Sequence, residues 1–523
     1  MKKKLLFAFT AVALLSLASC NSGNQNPYAN LANETDADLI EQLTVRETPA
    51  DFSDPDSETG IYGNVRLADK VGDATITWWS SNPKVINPKE SGIVAPGEVV
   101  RGNKDTNVTL VAQIEKDGNK TKFEQTVTVK AAAPEINDED YEAYLFGHFV
   151  GEGDSWGKTV DGKRVTKGEQ MFFALADVGQ GLKFKDMNGS KGTNYDSLKP
   201  VLTSEVGERG VRDPFMLRSP EGDTFYLIAT DLSVYTRGGW GNNAGQATKT
   251  GSHSITLWES HDLVNWTDAR LIPVAREDAG MAWAPEMIYC EETGEYLIFF
   301  SSTILDDYSK GTNAKILERD CVYYTTTRDF HHFGETKKFI PNVKYPDGYT
   351  NKEETDQYAT NNDYRKVIDG SVMKIGDWYY SACKDGGNNE NHGGIRIQKT
   401  QNLYDAEWEF VQNLADVGFK AEGRNADNKC LEGPEWFYLN QADRTDPNVP
   451  EIGLMADFYA NTSIGYIPWA TTNVEDINNA NGSWRQLKKT TEFSWDKQTK
   501  RHGTILRITE EEANRLKEAY PIA

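Results

Sequence analysis

Leu431-Glu432-Gly433-Pro434-Glu435-Trp436 is the stretch whose reading decides the fold of this chain. Pro434 pushes Gly433 out of the α region, so no helix is expected to run through it. The following run, Trp436-Phe437-Tyr438-Leu439, has the aromatic composition of a strand. Glu432 is therefore expected where a loop enters a strand, a place where a rigid element can hold a carboxylate at the mouth of a cavity. Alone, a solvated loop glutamate explains the same residues. Four other stretches share the design: Arg212-Asp213-Pro214-Phe215, Trp283-Ala284-Pro285-Glu286, Ile368-Asp369-Gly370-Ser371 and Arg501-His502-Gly503-Thr504. If each starts an inner strand, each delivers one polar side chain to a common cavity: Asp213, Glu286, Asp369, Glu432 and His502.

A second pattern interleaves with the first. It is a strand, a Ser/Thr/Ala turn, then a Leu or aromatic a few residues before another aromatic. The copies end at Phe184, Trp266, Phe333, Trp408 and Trp484, in steps of 82, 67, 75 and 76 residues. That is long for a four-stranded blade, and insertions such as 235–252 and 307–315 account for the excess. Five copies predict an all-β chain whose main domain is a five-bladed β-propeller. The first outer copy precedes the first inner stretch. The segment from Tyr144 to Phe184 should therefore join the last blade beside His502 to Thr509, so that both ends of the domain lock one blade.

Composition agrees. Aromatics are 11% of the 523 residues, Gly is frequent, and long helix-period apolar runs are scarce. A net charge of −23 argues against nucleic acid, whose phosphates would be repelled, and says little about a neutral ligand. Between 37 and 130 a small β-domain is expected, with strand runs at 74–79, 108–112 and 123–129 separated by Gly, Pro and Asn turns. Residues 131–140, beginning Ala131-Ala132-Ala133-Pro134, form a linker, and the propeller occupies 141–523.

The N-terminus is a targeting segment. Lys2-Lys3-Lys4 precedes an apolar run from Leu5 to Leu17, too short for an ordinary transmembrane span. It ends in Leu17-Ala18-Ser19-Cys20, which resembles a bacterial lipobox. The expectation is a signal peptide over 1–20, lipidation of Cys20, a polar tether over 21–36 and a place in the cell envelope, on the periplasmic face or the cell surface. Membrane contact is expected only through that anchor. Among the other cysteines, Cys290, Cys321, Cys383 and Cys430, no C-x-x-C pair exists, and buried free thiols are expected. Cys430, two residues before Glu432, is a candidate for lining the site.

The motifs Arg-Asp-Pro, Ser-His-Asp-Leu-Val-Asn-Trp, Trp-Ala-Pro-Glu, Ile-Asp-Gly-Ser and Glu-Gly-Pro, in this order over 144–509, resemble glycoside hydrolase family 43, the five-bladed arabinofuranosidases, xylosidases and arabinanases. The runs Thr77-Trp78-Trp79-Ser80-Ser81-Asn82 and Thr109 to Ile114 resemble the atypical bacterial immunoglobulin-like domains attached to secreted glycosidases. The first resemblance implies a catalytic base at Asp213, a pKa-modulating carboxylate at Asp369 and a general acid at Glu432. It also implies a hydrated ion, a structural calcium, near His502 at the axis, with no cofactor required for the chemistry.

The implied substrate is a carbohydrate and the implied reaction is inverting hydrolysis of terminal glycosidic bonds. An α-L-arabinofuranosidase is the first expectation; β-xylosidase, endo-arabinanase and galactofuranosidase are alternatives. A glycan-binding envelope lipoprotein without catalysis is the alternative from another class. Around the site, Glu286 either bonds sugar hydroxyls or supports its turn. Trp283 and Trp436 either stack on a sugar or join the core. Arg212 either pairs with a funnel carboxylate or braces it. His392 and the loop Gly238-Gly239-Trp240-Gly241 are subsite candidates, with plain surface positions as the alternative. Asp262 is expected in a turn, since three adjacent residues, Ser260-His261-Asp262, cannot converge as a triad.

Overall fold

The computed structural model describes residues 24–522 except 55, 152–154, 161–162, 190–197, 241–245, 341–342, 345–366, 386–393, 405, 415–430, 459–464, 477–482 and 497–499. Residues 1–23 with Cys20, and also His392 and Cys430, lie outside the described residues.

The larger domain is a ring of five antiparallel blades. Its five inner strands, Val211–Arg218, Trp283–Cys290, Val367–Ile375, Leu431–Tyr438 and Gly503–Thr509, each pack on their neighbours, and the last packs on the first. Blade one is closed by both ends of the domain, as expected: Gly503–Thr509 pairs with Tyr141–His148, which pairs with Phe172–Ala176. Blades two to five follow in chain order, each running from the inner strand outward. Alternation along each strand buries one side chain in every two between adjacent blades, which is where Trp258, Trp408 and Trp469 lie.

The Ser-x-Asp-Leu-x-x-Trp repeat makes the turn between the third and fourth strands. The Ser260 and Asp262 side chains accept the backbone N–H groups of Leu263, Val264 and Asn265, while Leu263 takes a left-handed conformation at φ 68°. Phe330 repeats this one blade later, with φ 54° and its N–H on Thr327. Asp262 is thus a turn residue. Cys290, Cys321 and Cys383 are buried free thiols.

The N-terminal domain has one sheet of five strands, in which Thr106–Lys116 pairs with both Asn119–Val129 and Ala74–Ser80. Its second layer is reduced to the helix Ala37–Leu43 and short two-residue ribbons, which close over Trp78, Val108 and Leu110. This domain sits against hairpin turns of blades two and three. Arg101 pairs with Asp223 at 2.6 Å, Arg328 donates to the carbonyls of Ala95 and Pro96, and His261 stacks with Tyr62 and Phe52. Those turns lie at the strand ends away from Asp213 and its counterparts. The linker is anchored too: Asp138 accepts from Arg444 and Arg507, each at 2.7 Å.

Candidate active site

Four inner strands carry the same irregularity near their start. Register slips between Arg212 and Phe215, Trp283 and Glu286, Ile368 and Ser371, and Glu432 and Glu435. One residue in each bulge is left-handed: Asp213 at φ 47°, Ala284 at 45°, Asp369 at 52° and Gly433 at 53°. For a non-glycine residue this conformation is strained, and three such cases around one axis, with Gly433 at the fourth equivalent position, mark a place where the backbone aims side chains. Neighbouring blades fix the bulges through hydroxyls. The Thr230 hydroxyl accepts from Ala284 N at 2.7 Å and donates to Asp213 Oδ2 at 3.1 Å. Ser301 accepts from Asp369 N at 2.9 Å, and Ser371 accepts from Trp436 N at 3.2 Å.

The bulge corrects the expected register. Asp213 and Asp369 occupy the left-handed position itself, whereas Glu432 stands one residue before it, level with Arg212. Glu286 is equivalent to Glu435, two residues after the bulge, and points away from the cavity. The side chains of Asp213 and Glu432 keep about 20% of their surface accessible, while Glu286 is 3% and Glu435 2% exposed. Glu286 and Glu435 hydrogen-bond to each other below the site. Burial raises both groups, so the pair shares a proton, with Glu286 as donor; Glu435 also accepts from Thr504 at 3.0 Å. Glu286 thus braces the inner ring and does not reach a sugar.

Three further side chains settle differently from, or more narrowly than, their first reading. Trp436 is 5% exposed and packs with Trp484 between blades four and five; the strand turns it into the core, so it is not a stacking platform. Arg212 is a brace: it donates to Glu169 at 3.0 Å, and Glu169 also accepts from Val234 N and Ser233 Oγ. Trp283 is half-buried, edge-on to Trp240 with ring centroids 6.0 Å apart. Trp240 itself is 44% exposed, with the Arg212 guanidinium 5.5 Å from its ring. Trp240 is therefore an exposed aromatic beside Arg212 and Trp283.

His502 serves Asp213. Its Nδ1 lies 3.4 Å from Asp213 Oδ1, and its ring stacks on Tyr466. Burial opposes the charged imidazole, but Asp213, by hydrogen bond and by charge, outweighs it and lifts the group to about 9, aided by Asp369 and Glu435. In return, burial raises Asp213 but the His502 contact and the charge of Arg212 outweigh it, so Asp213 lies below the usual carboxylate value. His502 Nδ1 is turned to Asp213, and the described residues hold no group of three or more His, Cys, Asp or Glu able to bind a metal ion. The donor set therefore does not fit an ion held by His502.

Asp369 accepts from Gly433 N at 3.2 Å, which ties it to the strand of Glu432. Burial, and then the charges of Glu432 and Asp213, raise it to about 6 against the pull of His502 and Lys384. Glu432 is held by two cations that sequence reasoning did not single out: Lys384 Nζ on Oε2 at 2.6 Å and Arg501 Nη2 on Oε1 at 3.3 Å. Arg501 is itself anchored by buried Asp457 at 3.0 Å. Arg501 stood in a quoted motif, beside His502. Lys384 had one signal, a cation ending the apolar strand run Trp378 to Cys383.

These groups can divide proton transfer between a carboxylate kept charged, Asp213, and a second carboxyl, Glu432, with a third, Asp369, setting the local charge.

Comparison with known proteins gives the chain a family. The sequence model of a family described as a probable glycosyl hydrolase domain, related to family 43, matches residues 139–514, and that of the atrophied bacterial Ig domain matches 42–132. An α-L-arabinofuranosidase of Bifidobacterium longum is 31% identical over 383 residues, which cover 68% of this chain and 30% of that protein, so the chain spans under a third of its relative's length. Among solved structures, the Bacillus subtilis arabinanase is 15% identical and aligns over 58% of this chain and 82% of its own, with a TM-score of 0.31. The Podospora anserina α-L-arabinofuranosidase is 12% identical over 57% of this chain and 74% of its own, with a TM-score of 0.33.

Proposed function

We propose that this chain, which belongs to the family of probable glycosyl hydrolase domains related to glycoside hydrolase family 43, removes terminal α-L-arabinofuranosyl residues from plant polysaccharides with inversion. The observation that carries the mechanism is the contrast among three carboxyls at one axis. Asp213 is held charged by His502, Asp369 is raised to about 6, and Glu432 stands on the next strand. The relative's activity supports the choice of sugar.

Inversion needs one carboxylate to take a proton from water and one carboxyl to give a proton to the departing oxygen, ~6.5–9.5 Å apart so that the water fits between them. Asp213 takes the water's proton as the new bond to the anomeric carbon forms. Glu432 protonates the glycosidic oxygen as the old bond breaks. Asp369 resists joint ionisation with Glu432 and, through Gly433 N, fixes its strand.

A hydrolysis screen tests this reading. It should include aryl α-L-arabinofuranoside, β-D-xyloside and β-D-galactofuranoside together with arabinan and arabinoxylan, beside a Glu432→Gln control. The expected result is release of arabinose from the polysaccharides, reduced at least ~10²-fold in the control. Release of xylose or galactose would reassign the sugar. Oligosaccharides from arabinan would mean endo-action. Glycan binding without release would leave a binding protein.

The proposal also places the enzyme at the cell envelope by a lipid on Cys20, supported by the lipobox-like Leu17 to Cys20. Mass spectrometry of the N-terminal peptide should then show a diacylglyceryl adduct that Cys20→Ser lacks; an unmodified Cys20 in membrane-extracted protein would remove the anchor.

A further inference from the structure

After its second strand, Phe225–Asp231, blade two makes a connection whose first part, 232–240, is pinned by two glutamates of the segment that precedes Asp213. Glu169, 0% exposed, accepts from Val234 N at 2.9 Å, Tyr235 N at 3.3 Å and Ser233 Oγ at 2.8 Å. Glu208 accepts from Ser233 N at 3.0 Å and from Arg237 Nε at 2.8 Å. Leu232 and Val234 are buried, with Trp283 packed against them. Gly238 and Gly239 then turn the chain at φ 86° and 93°, a conformation that favours glycine, and the next residue is Trp240. Arg212 covers one side of its ring and Trp283 meets it at 79°, yet 44% of the residue is exposed. Arg212 and Trp283 each precede the left-handed residue of a bulge, Asp213 in one strand and Ala284 in the other. Trp240 therefore stands at the same end of the ring of blades as the catalytic carboxyls. It stands off the axis where they meet, because its loop leaves from a second strand and not from an inner one.

We infer that Trp240 is a platform for a sugar ring beyond the cleaved bond, so that the enzyme reads the chain that bears the terminal sugar as well as that sugar. This rests on the reading of the chain as a hydrolase of terminal sugars. A single exposed aromatic needs no ligand. Here, however, a buried carboxylate and an ion pair fix the backbone that carries it, and an aromatic on a fixed backbone loses little freedom when a ligand arrives. The chemistry suits a neutral sugar. Its ring C–H groups carry slight positive charge and meet the negative face of the indole, while its hydroxyls stay in water. The cleaved sugar must lie among Asp213, Asp369 and Glu432 at the axis, so a ring on Trp240 belongs to its neighbour in the substrate. Trp240 touches no reacting atom in this arrangement and acts on specificity alone.

The test compares wild type, Trp240→Ala and Trp240→Tyr on three substrates that end in the same sugar. Methyl α-L-arabinofuranoside has no ring beyond the cleaved bond; the other two are arabinofuranosyl oligosaccharides prepared from arabinan and from arabinoxylan. In Trp240→Ala, KM is expected to rise about ten-fold on at least one oligosaccharide, with kcat within about two-fold of wild type, because stacking away from the reacting atoms binds ground state and transition state alike. The oligosaccharide that responds names the ring, a furanose of arabinan or a pyranose of xylan. On the methyl glycoside, kcat and KM should both stay within about two-fold, which also shows that the variant is folded. Trp240→Tyr keeps an aromatic face and should hold the oligosaccharide KM within about three-fold of wild type. Equal losses on the methyl glycoside and the oligosaccharides would mean that Trp240 supports the carboxyls and not the sugar chain. No loss on either oligosaccharide would make it a plain surface aromatic, and a lower kcat at unchanged KM would exclude simple stacking. Each of these results overturns the proposal while leaving the hydrolase in place. If the wild type released sugar from none of the three, the hydrolytic reading would fail, and the platform with it.

Discussion

Asp213→Asn is expected to lower kcat by ~10²- to 10⁴-fold on every substrate while leaving the fold intact. Asparagine keeps the shape and can still accept from Thr230 Oγ1, which lies 3.1 Å from the carboxylate. It cannot take a proton from water. The loss should be equal for activated and unactivated leaving groups, because the base acts on the nucleophile. Glu432→Gln should instead spare aryl substrates with good leaving groups.

The same substitution has a second readout at His502. The imidazole stands at about 9 chiefly because Asp213 outweighs its burial, so in Asp213→Asn it should titrate well below that value, visible in histidine NMR spectra. The sign for the wild type comes from the other partner. Asp213 is lowered by His502 and Arg212, so the acid limb of kcat/KM should lie below the ordinary aspartate value of 3.8, with activity lost as pH falls through it. Near wild-type rates in pure Asp213→Asn protein would falsify the assignment of the base.

Much of this was legible because a propeller repeats its punctuation. Five outer copies and five inner stretches, read together, predicted the blade count and the closure of Tyr141–His148 on Gly503–Thr509. The turn role of Asp262 was readable because Ser and Asp side chains capture nearby N–H groups without tertiary help. The side-chain register was not readable. Glu286 and Glu432 look equivalent in Trp-Ala-Pro-Glu and Leu-Glu-Gly-Pro, but the bulge places the left-handed residue at Ala284 in one and Gly433 in the other. Glu286 then matches Glu435 and is buried. A one-residue slip turns a strand side chain to the opposite face, and the motif letters do not encode it. The ion pairs were hidden for another reason. Lys384 meets Glu432 across 48 positions and Arg501 meets it across 69, so only blade packing brings them together. Sequence position alone could not show that His502 has Asp213 as its partner.

Gly433→Ala should be the most damaging substitution that removes no functional group. Gly433 has φ 53°, where an L-residue pays about 1–2 kcal/mol. The larger problem is space: an added Cβ would stand 2.4 Å from Cγ of His502. His502 has nowhere to retreat, since its ring stacks on Tyr466, which is fully buried and whose hydroxyl donates to the carbonyl of Gly433 itself. The clash must therefore move either the imidazole away from Asp213 or the strand that carries Glu432. Displacing a catalytic group by about 1 Å can cost ~10²-fold in rate, so kcat should fall by about that factor. The unfolding free energy should drop by about 1–3 kcal/mol in denaturant melts. The pH profile separates the two routes. If the imidazole moves, Asp213 loses its partner and the acid limb of kcat/KM rises toward the ordinary value. If the strand moves, that limb stays and acid assistance fails, so the loss is confined to poor leaving groups. Gly370→Ala is the matched control, one residue after Asp369 on the neighbouring strand. There an added Cβ would meet Cys383 Sγ and Val322 at 3.6 Å, ordinary contact, and the rate should remain within about a factor of three. Equal effects at the two glycines would mean that close packing of Gly433 on His502 does not hold the base in place.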